Sequence, residues 1–200
     1  MDVIEAVKTR KSIRNFEQED VDLNLIKKII EISINSPSGG NAQNWFTYII
    51  KSKDVLNKMR GEVETVYKNV TGKDAPSVYA FFNEAPVVLA LVEKPYVGSI
   101  DKILESNDKN KDRNFNRKFI VNPGLQGVSS FIAHILLVAH NEGLGACWMT
   151  GPLIAKPEIE NMLGIKSPDN LVALIPVGKP VKRQSKSSRM NVEEVIEVIL

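Results

Sequence analysis

Residues 125–148 read LQGVSSFIAHILLVAHNEGLGACW, and they decide the kind of fold this chain builds. In residues 125–140, Val128, Phe131, Ile132, Ile135, Leu136 and Val138 recur at helical spacing, with apolar residues almost all round. A helix that is apolar on several faces is buried, in a core or against a partner chain. Gly143-Leu144-Gly145 ends it, and residues 146–149 read as a short strand.

Moving outward, three further segments read as strands. They are residues 45–50, residues 86–92 (PVVLALV) and residues 171–177 (LVALIPV). The near-continuous apolar run at 86–92 implies burial on both faces. Helices are expected over residues 2–11 behind an Asp2 cap and from Asp22 to Pro37, with Leu23, Ile26, Ile29, Ile30 and Ser33 on one face. Others are expected over residues 53–69, 157–163 and, at the C-terminus, 192–200. Residues 12–21 read as a polar connection with one buried aromatic, Phe16. Residues 101–118 are densely charged with mixed signs and read as an exposed helix or mobile loop. Interleaved helices and strands mean a helix-wrapped sheet, α/β or α+β. The length of 200 residues, with 43% hydrophobic and 25% charged, suits one domain over residues 1–200.

Charge narrows the partners. The 26 basic and 24 acidic residues nearly cancel, to +2, so the overall charge points to no nucleic acid. Cys147 is the only cysteine. It excludes an intramolecular disulfide and a cysteine-based zinc cluster, and it suits a reducing compartment. The N-terminus has no apolar core of signal-peptide length, and no apolar run is long enough for a membrane span. The expectation is a soluble cytoplasmic protein without membrane partners.

No nucleophile elbow, zincin, P-loop or dinucleotide fingerprint is present. His134 and His140 lie six apart on one helix, out of step for paired metal ligands, so no metal is expected. His140, in the last turn, reads as a complement to the helix C-terminus. Without side-chain catalysts, a cofactor is expected to do the chemistry.

Four segments could hold one. Arg10-Lys11-Ser12-Ile13-Arg14 gathers three cations and a hydroxyl, which suits a phosphate or, equally, a helix C-terminus. Ser36-Pro37-Ser38-Gly39-Gly40-Asn41-Ala42-Gln43-Asn44-Trp45 offers close backbone approach and polar groups, or a plain surface turn. Residues 143–152 end in Thr150-Gly151-Pro152, where free N–H groups can face a ligand or a buried strand can simply turn. Gly178-Lys179-Pro180 opens a basic tail with Lys182, Arg183, Lys186 and Arg189, which also reads as a solvated loop.

In order and spacing, these segments together resemble the FMN-dependent nitroreductase family over nearly the whole chain. The matching patterns are [KR]-x-R-[KR]-S-x-R-x-[FY] at 8–16, S-P-S-x-x-N-x-Q-x-W at 36–45 and A-P-V-V at 85–88. G-L-G-x-C-W at 143–148 and G-x-P followed by a basic tail at 178–200 complete the set. The resemblance implies an α+β layered fold, with a central mixed sheet flanked by helices. It also implies an intertwined homodimer with FMN sites at the interface and the long apolar helix at its centre. It places the cofactor-binding residues at Arg10, Lys11, Ser12 and Arg14, with Pro37, Ser38, Gly39 and Asn41 reaching FMN from the other subunit. Thr150 and Gly151 would approach flavin N5, and Lys186 and Arg189 would close over the phosphate. No side chain is assigned as catalytic. The implied activity is two-step transfer from NADH or NADPH, through non-covalent FMN, to nitroaromatics, quinones or related small acceptors. The alternatives are a sibling that dehalogenates or fragments flavin, and an FMN-binding protein without turnover.

The chain departs from the family pattern in three places. Ser187, not lysine, stands two before Arg189. The usual Q-P-W is Gln43-Asn44-Trp45. Ala133-His134 stands where Gln-Asn is common.

Overall fold

A computed structural model describes residues 1–107, 109, 111–116, 120–181 and 188–200. Strands β1 (Trp45–Ile50), β2 (Val87–Glu93), β3 (Gly145–Ala146) and β4 (Asn170–Gly178) form one sheet in the order β1-β2-β4-β3, each pair antiparallel. Parallel pairing is confined, among the described residues, to a single bridge between Ser12 and Ala146. The chain is therefore α+β, with helices on both faces of a sheet.

The run PVVLALV behaves as its composition demands. Val87, Leu89 and Leu91 pack on one face with helix α2 (Leu23–Ser33) and helix α6 (Pro123–Asn141). Val88, Ala90 and Val92 pack on the other with helix α3 (Lys53–Thr71) and helix α7 (Lys156–Leu163). A strand alternates its side chains, so burial on both sides requires an unbroken apolar run. Opposite it, β4 carries a bulge where Leu91 pairs with Ala173 and Val92 with Leu171. The extra residue, Val172, lets Leu171 and Leu174 share a face although they are three apart.

Helix α6 is the keel of the first face. Asn122 caps it through Leu125 N, Pro123 opens it, and Val128, Phe131, Ile132, Ile135, Leu136 and Ala139 are buried. Phe131 stacks on Trp45 of β1 at 4.9 Å between centroids. Much of its apolar surface is thus covered by its own chain. On the second face, α3 buries Leu56, Met59 and Val63 and stops at Gly72, whose φ of 71° closes the helix.

Three expectations are corrected and one is made more specific. Helix α1 is Val3–Thr9, shorter than expected, because the chain turns extended at Arg10. Strand β3 covers only Gly145–Ala146. Its next partner is Pro176, which has no N–H to donate, and pairing resumes as an isolated bridge at Met149–Leu174. The charged segment contains two short helices, α4 (Ser99–Glu105) and α5 (Lys111–Asn116). The expected C-terminal helix is reduced to one 3-10 turn at Val192–Glu194, with residues 195–200 exposed. Its β-branched run, Val195, Ile196, Val198 and Ile199, favours extended backbone, and no core of its own chain lies under it. Among the described residues no helix is long and apolar enough to cross a membrane.

Candidate cofactor site

The basic segment is held against β3. Ile13 N donates to Ala146 O at 3.0 Å beside the Ser12–Ala146 bridge. This approach needs Gly145, where an added Cβ would lie 2.6 Å from the Ile13 side chain. Extended backbone alternates its side chains. Lys11 and Ile13 line a cavity of about 410 Å³ with Thr9, His140 and Gly143. Arg14, Ser12 and Arg10 all act on Cys147, and Arg10 acts on His140 as well. Burial pushes the Cys147 thiol up, and the Arg14 charge, a hydrogen bond with Ser12 and the Arg10 charge oppose this without reversing it. The buried cysteine therefore does have cationic neighbours, which its apolar sequence context does not reveal.

None of the ion pairs among the described residues involves Arg10 or Arg14. Arg14 Nη1 donates to Ser12 O at 3.5 Å, the limit of a hydrogen bond. Among the described residues, two guanidinium groups without an ion-pair partner, with a hydroxyl between them in the chain, fit a dianionic phosphate.

Beside them, Met149 exchanges two backbone hydrogen bonds of 3.0 Å with Leu174, and the chain then turns at Thr150 into a 3-10 turn, Gly151–Ala155. Among the described residues, neither the Thr150 nor the Gly151 N–H donates to a protein acceptor. Thr150 is exposed and Gly151 half-buried, so both N–H groups remain available to a ligand.

The loop after α2 is preformed by local bonds. Ser36 is buried and donates to Ser33 O at 2.6 Å, Pro37 follows, and Gln43 N donates to Ser38 Oγ at 3.1 Å. Gly40, Asn41 and Gln43 all have positive φ, which glycine and asparagine tolerate best. Asn44, the departure from Q-P-W, is buried. Its Nδ2 donates to Lys94 O and Gly124 O, tying the loop to the end of β2 and the first turn of α6. These bonds supply a fixture that a proline would have supplied through its ring. Sequence reasoning noted Asn44 as a departure but missed this role.

The two halves of the candidate site lie at opposite ends of α6. Ser38 sits against Gly127, where a Cβ would be 3.2 Å from both Ser38 Cβ and Asn44 Oδ1. The basic segment sits at the other end, where Thr9 Oγ is 2.8 Å from His140 Nε2. Gly127 and His140 are thirteen positions apart on the helix, about 20 Å at 1.5 Å per residue. The structure therefore brings Arg10, Ser12 and Arg14 to Ala146 and Cys147, the residues that lead into the turn at Thr150 and Gly151. It leaves Pro37, Ser38, Gly39 and Asn41 apart from them within one chain. Arg189 is exposed in the tail and donates to Ser188 O. Lys186 lies outside the described residues.

The His140 expectation needs amending. Burial, then the Arg10 charge, hold its pKa below the ordinary value, against a smaller opposing effect of Glu5. It is neutral near pH 7 and is not a charged complement to the helix end.

The chain is 28% identical over 190 residues to a candidate NADH dehydrogenase/NAD(P)H nitroreductase of Methanothermobacter thermautotrophicus, covering 91% of this chain and 79% of that one. It is 28% identical over 192 residues to an iodotyrosine deiodinase of Hydra vulgaris, covering 88% of this chain but only 64% of the longer relative. Among solved structures, a BluB-like flavoprotein from Clostridium difficile 630 superposes with a TM-score of 0.88 at 28% identity, covering 100% of this chain and 99% of that one. The model of the nitroreductase family matches residues 7–179, a span that holds the basic segment, the loop after α2, α6 and the Thr150–Gly151 turn, and the chain belongs to that family.

Proposed function

We propose that this chain binds FMN non-covalently, one per subunit, and is an NADH- or NADPH-dependent reductase of a small acceptor such as a nitroaromatic or a quinone. The observation that carries this reading is the pairing of two guanidinium groups without an ion-pair partner among the described residues, Arg10 and Arg14, with the available N–H groups of Thr150 and Gly151. FMN, when bound, supplies two-electron transfer between the nicotinamide and the acceptor.

The chain's own residues bind, orient and polarise. Arg10 and Ser12 hold the phosphate and ribityl chain, and Arg189 closes over the phosphate from the tail. Arg14 joins Arg10 at the phosphate, and Thr150 and Gly151 offer backbone donors towards N5. Pro37, Ser38, Gly39 and Asn41 complete the site from a second copy, because about 20 Å of α6 keeps them from the basic segment of their own chain. A homodimer is supported further by the exposed apolar residues Val3, Ile4 and Val7 of α1 and by the exposed tail residues Val198, Ile199 and Leu200.

Rapid anaerobic mixing of the FMN-loaded protein with NADH and with NADPH tests the reading. Fast loss of flavin absorbance, restored by nitrobenzene or a quinone, is expected. Flavin that stays oxidised with both donors would contradict it. A second reading, reductive dehalogenation, is favoured by the match to deiodinases over 88% of the chain. Iodide release from 3-iodotyrosine by the chemically reduced protein would support it.

A further inference from the structure

We propose that Tyr79, backed by Tyr67, forms a wall of the acceptor pocket and selects flat aromatic acceptors by stacking on them. The inference rests on the reading above, which sets the Thr150–Gly151 turn beside the reactive edge of the flavin.

The geometry is specific. A Cβ on Gly151 would lie 2.2 Å from Tyr79 Cδ1 and 2.7 Å from Cε1. The edge of the Tyr79 ring thus occupies the place where residue 151 would carry a side chain, and only glycine admits it. Tyr79 is fixed there by a 3-10 turn, Ser77–Tyr79, closed by its N–H donating to Pro76 O at 2.9 Å. Tyr67, from α3, leans on it with centroids 5.5 Å apart and an interplanar angle of 36°. Leu153 and Ile154, like Tyr79, pack against the core on this face of the sheet. Both tyrosines are only half-buried, and Thr150 beside them is exposed. A rigid aromatic pair with part of its surface open, packed on the turn that faces the reactive edge of the flavin, recognises a flat ring by its face.

Nitrobenzene is the probe, being flat and uncharged. It is titrated into the oxidised, FMN-loaded protein without donor, with flavin absorbance as the readout. FMN affinity is measured in parallel. Tyr79→Ala should weaken nitrobenzene about threefold to tenfold, the worth of one aromatic contact. Tyr79→Phe should stay within twofold, and FMN affinity should stay within twofold in both. Unchanged nitrobenzene affinity in Tyr79→Ala would overturn the proposal, as would a wild-type protein that holds FMN but does not respond to nitrobenzene. If Tyr79→Ala does not fold, Tyr79→Leu keeps the bulk without the ring. The same loss supports the stacking role, and unchanged affinity overturns it. A wild-type protein that takes up no FMN would sink the underlying reading together with this one, an outcome separate from the others.

Discussion

Thr9 Oγ lies 2.8 Å from Nε2 of His140 and also 2.7 Å from Glu5 O, to which its hydroxyl donates. A hydroxyl has one proton, so the imidazole is the donor to Thr9, and His140 carries its proton on Nε2. This contact locks the end of α1, where Arg10 follows, onto the end of α6.

The pH dependence follows. Burial, then Arg10, lower the His140 pKa below 6.5, so the folded state disfavours its charged form. The stabilisation is present above the unfolded value of 6.5 and is lost as pH falls through the folded value, because the unfolded chain then binds the extra proton. An NMR titration should place the His140 pKa below 6.5. FMN binding should move it upwards, since a phosphate beside Arg10 offsets the cation. A value unmoved by FMN would speak against a phosphate next to Arg10.

Gly145→Ala should displace the basic segment. The new Cβ would meet Ile13 at 2.6 Å, and both backbones are held there by the bridge at Ser12–Ala146. Overpacking of this kind costs about 1–3 kcal/mol. Urea unfolding should show that loss, with weaker FMN binding in the folded protein; wild-type values for both would mean that the segment adjusts freely.

Cys147→Ser should keep most of the turnover. The thiol is buried, and burial outweighs Arg14, Ser12 and Arg10 in setting its pKa, so it stays protonated near pH 7. Iodoacetamide should label the folded protein slowly at that pH. Rapid labelling, or turnover reduced a hundredfold with FMN still bound, would show a chemical role for the thiol.

What could be read in the sequence follows from what is local. The run at β2 announced its two buried faces by composition alone, and α6 announced its burial by periodicity. The basic segment, the loop after α2 and the Thr150–Gly151 turn were legible because each is a short contiguous pattern. The tail was misread as a helix because residues 192–200 have helical spacing of apolar groups but no surface of their own chain to pack on. Asn44 and Tyr79 stayed hidden for another reason. Their contacts are with Gly124 and Gly151, which are distant in sequence, and no local pattern encodes that approach.

The most direct test of the cofactor site is FMN titration of the apo wild type and apo Arg10→Ala, followed by flavin fluorescence. A guanidinium–phosphate contact is a charge-assisted hydrogen bond worth about 1.5–3 kcal/mol. Its loss should weaken FMN roughly tenfold to a hundredfold, at about 1.4 kcal/mol per tenfold. Activity per bound flavin should be nearly unchanged, and excess FMN should restore the mutant. Equal affinities of wild type and mutant would contradict the account, because Arg10 would then be a solvated helix end and the phosphate would lie elsewhere.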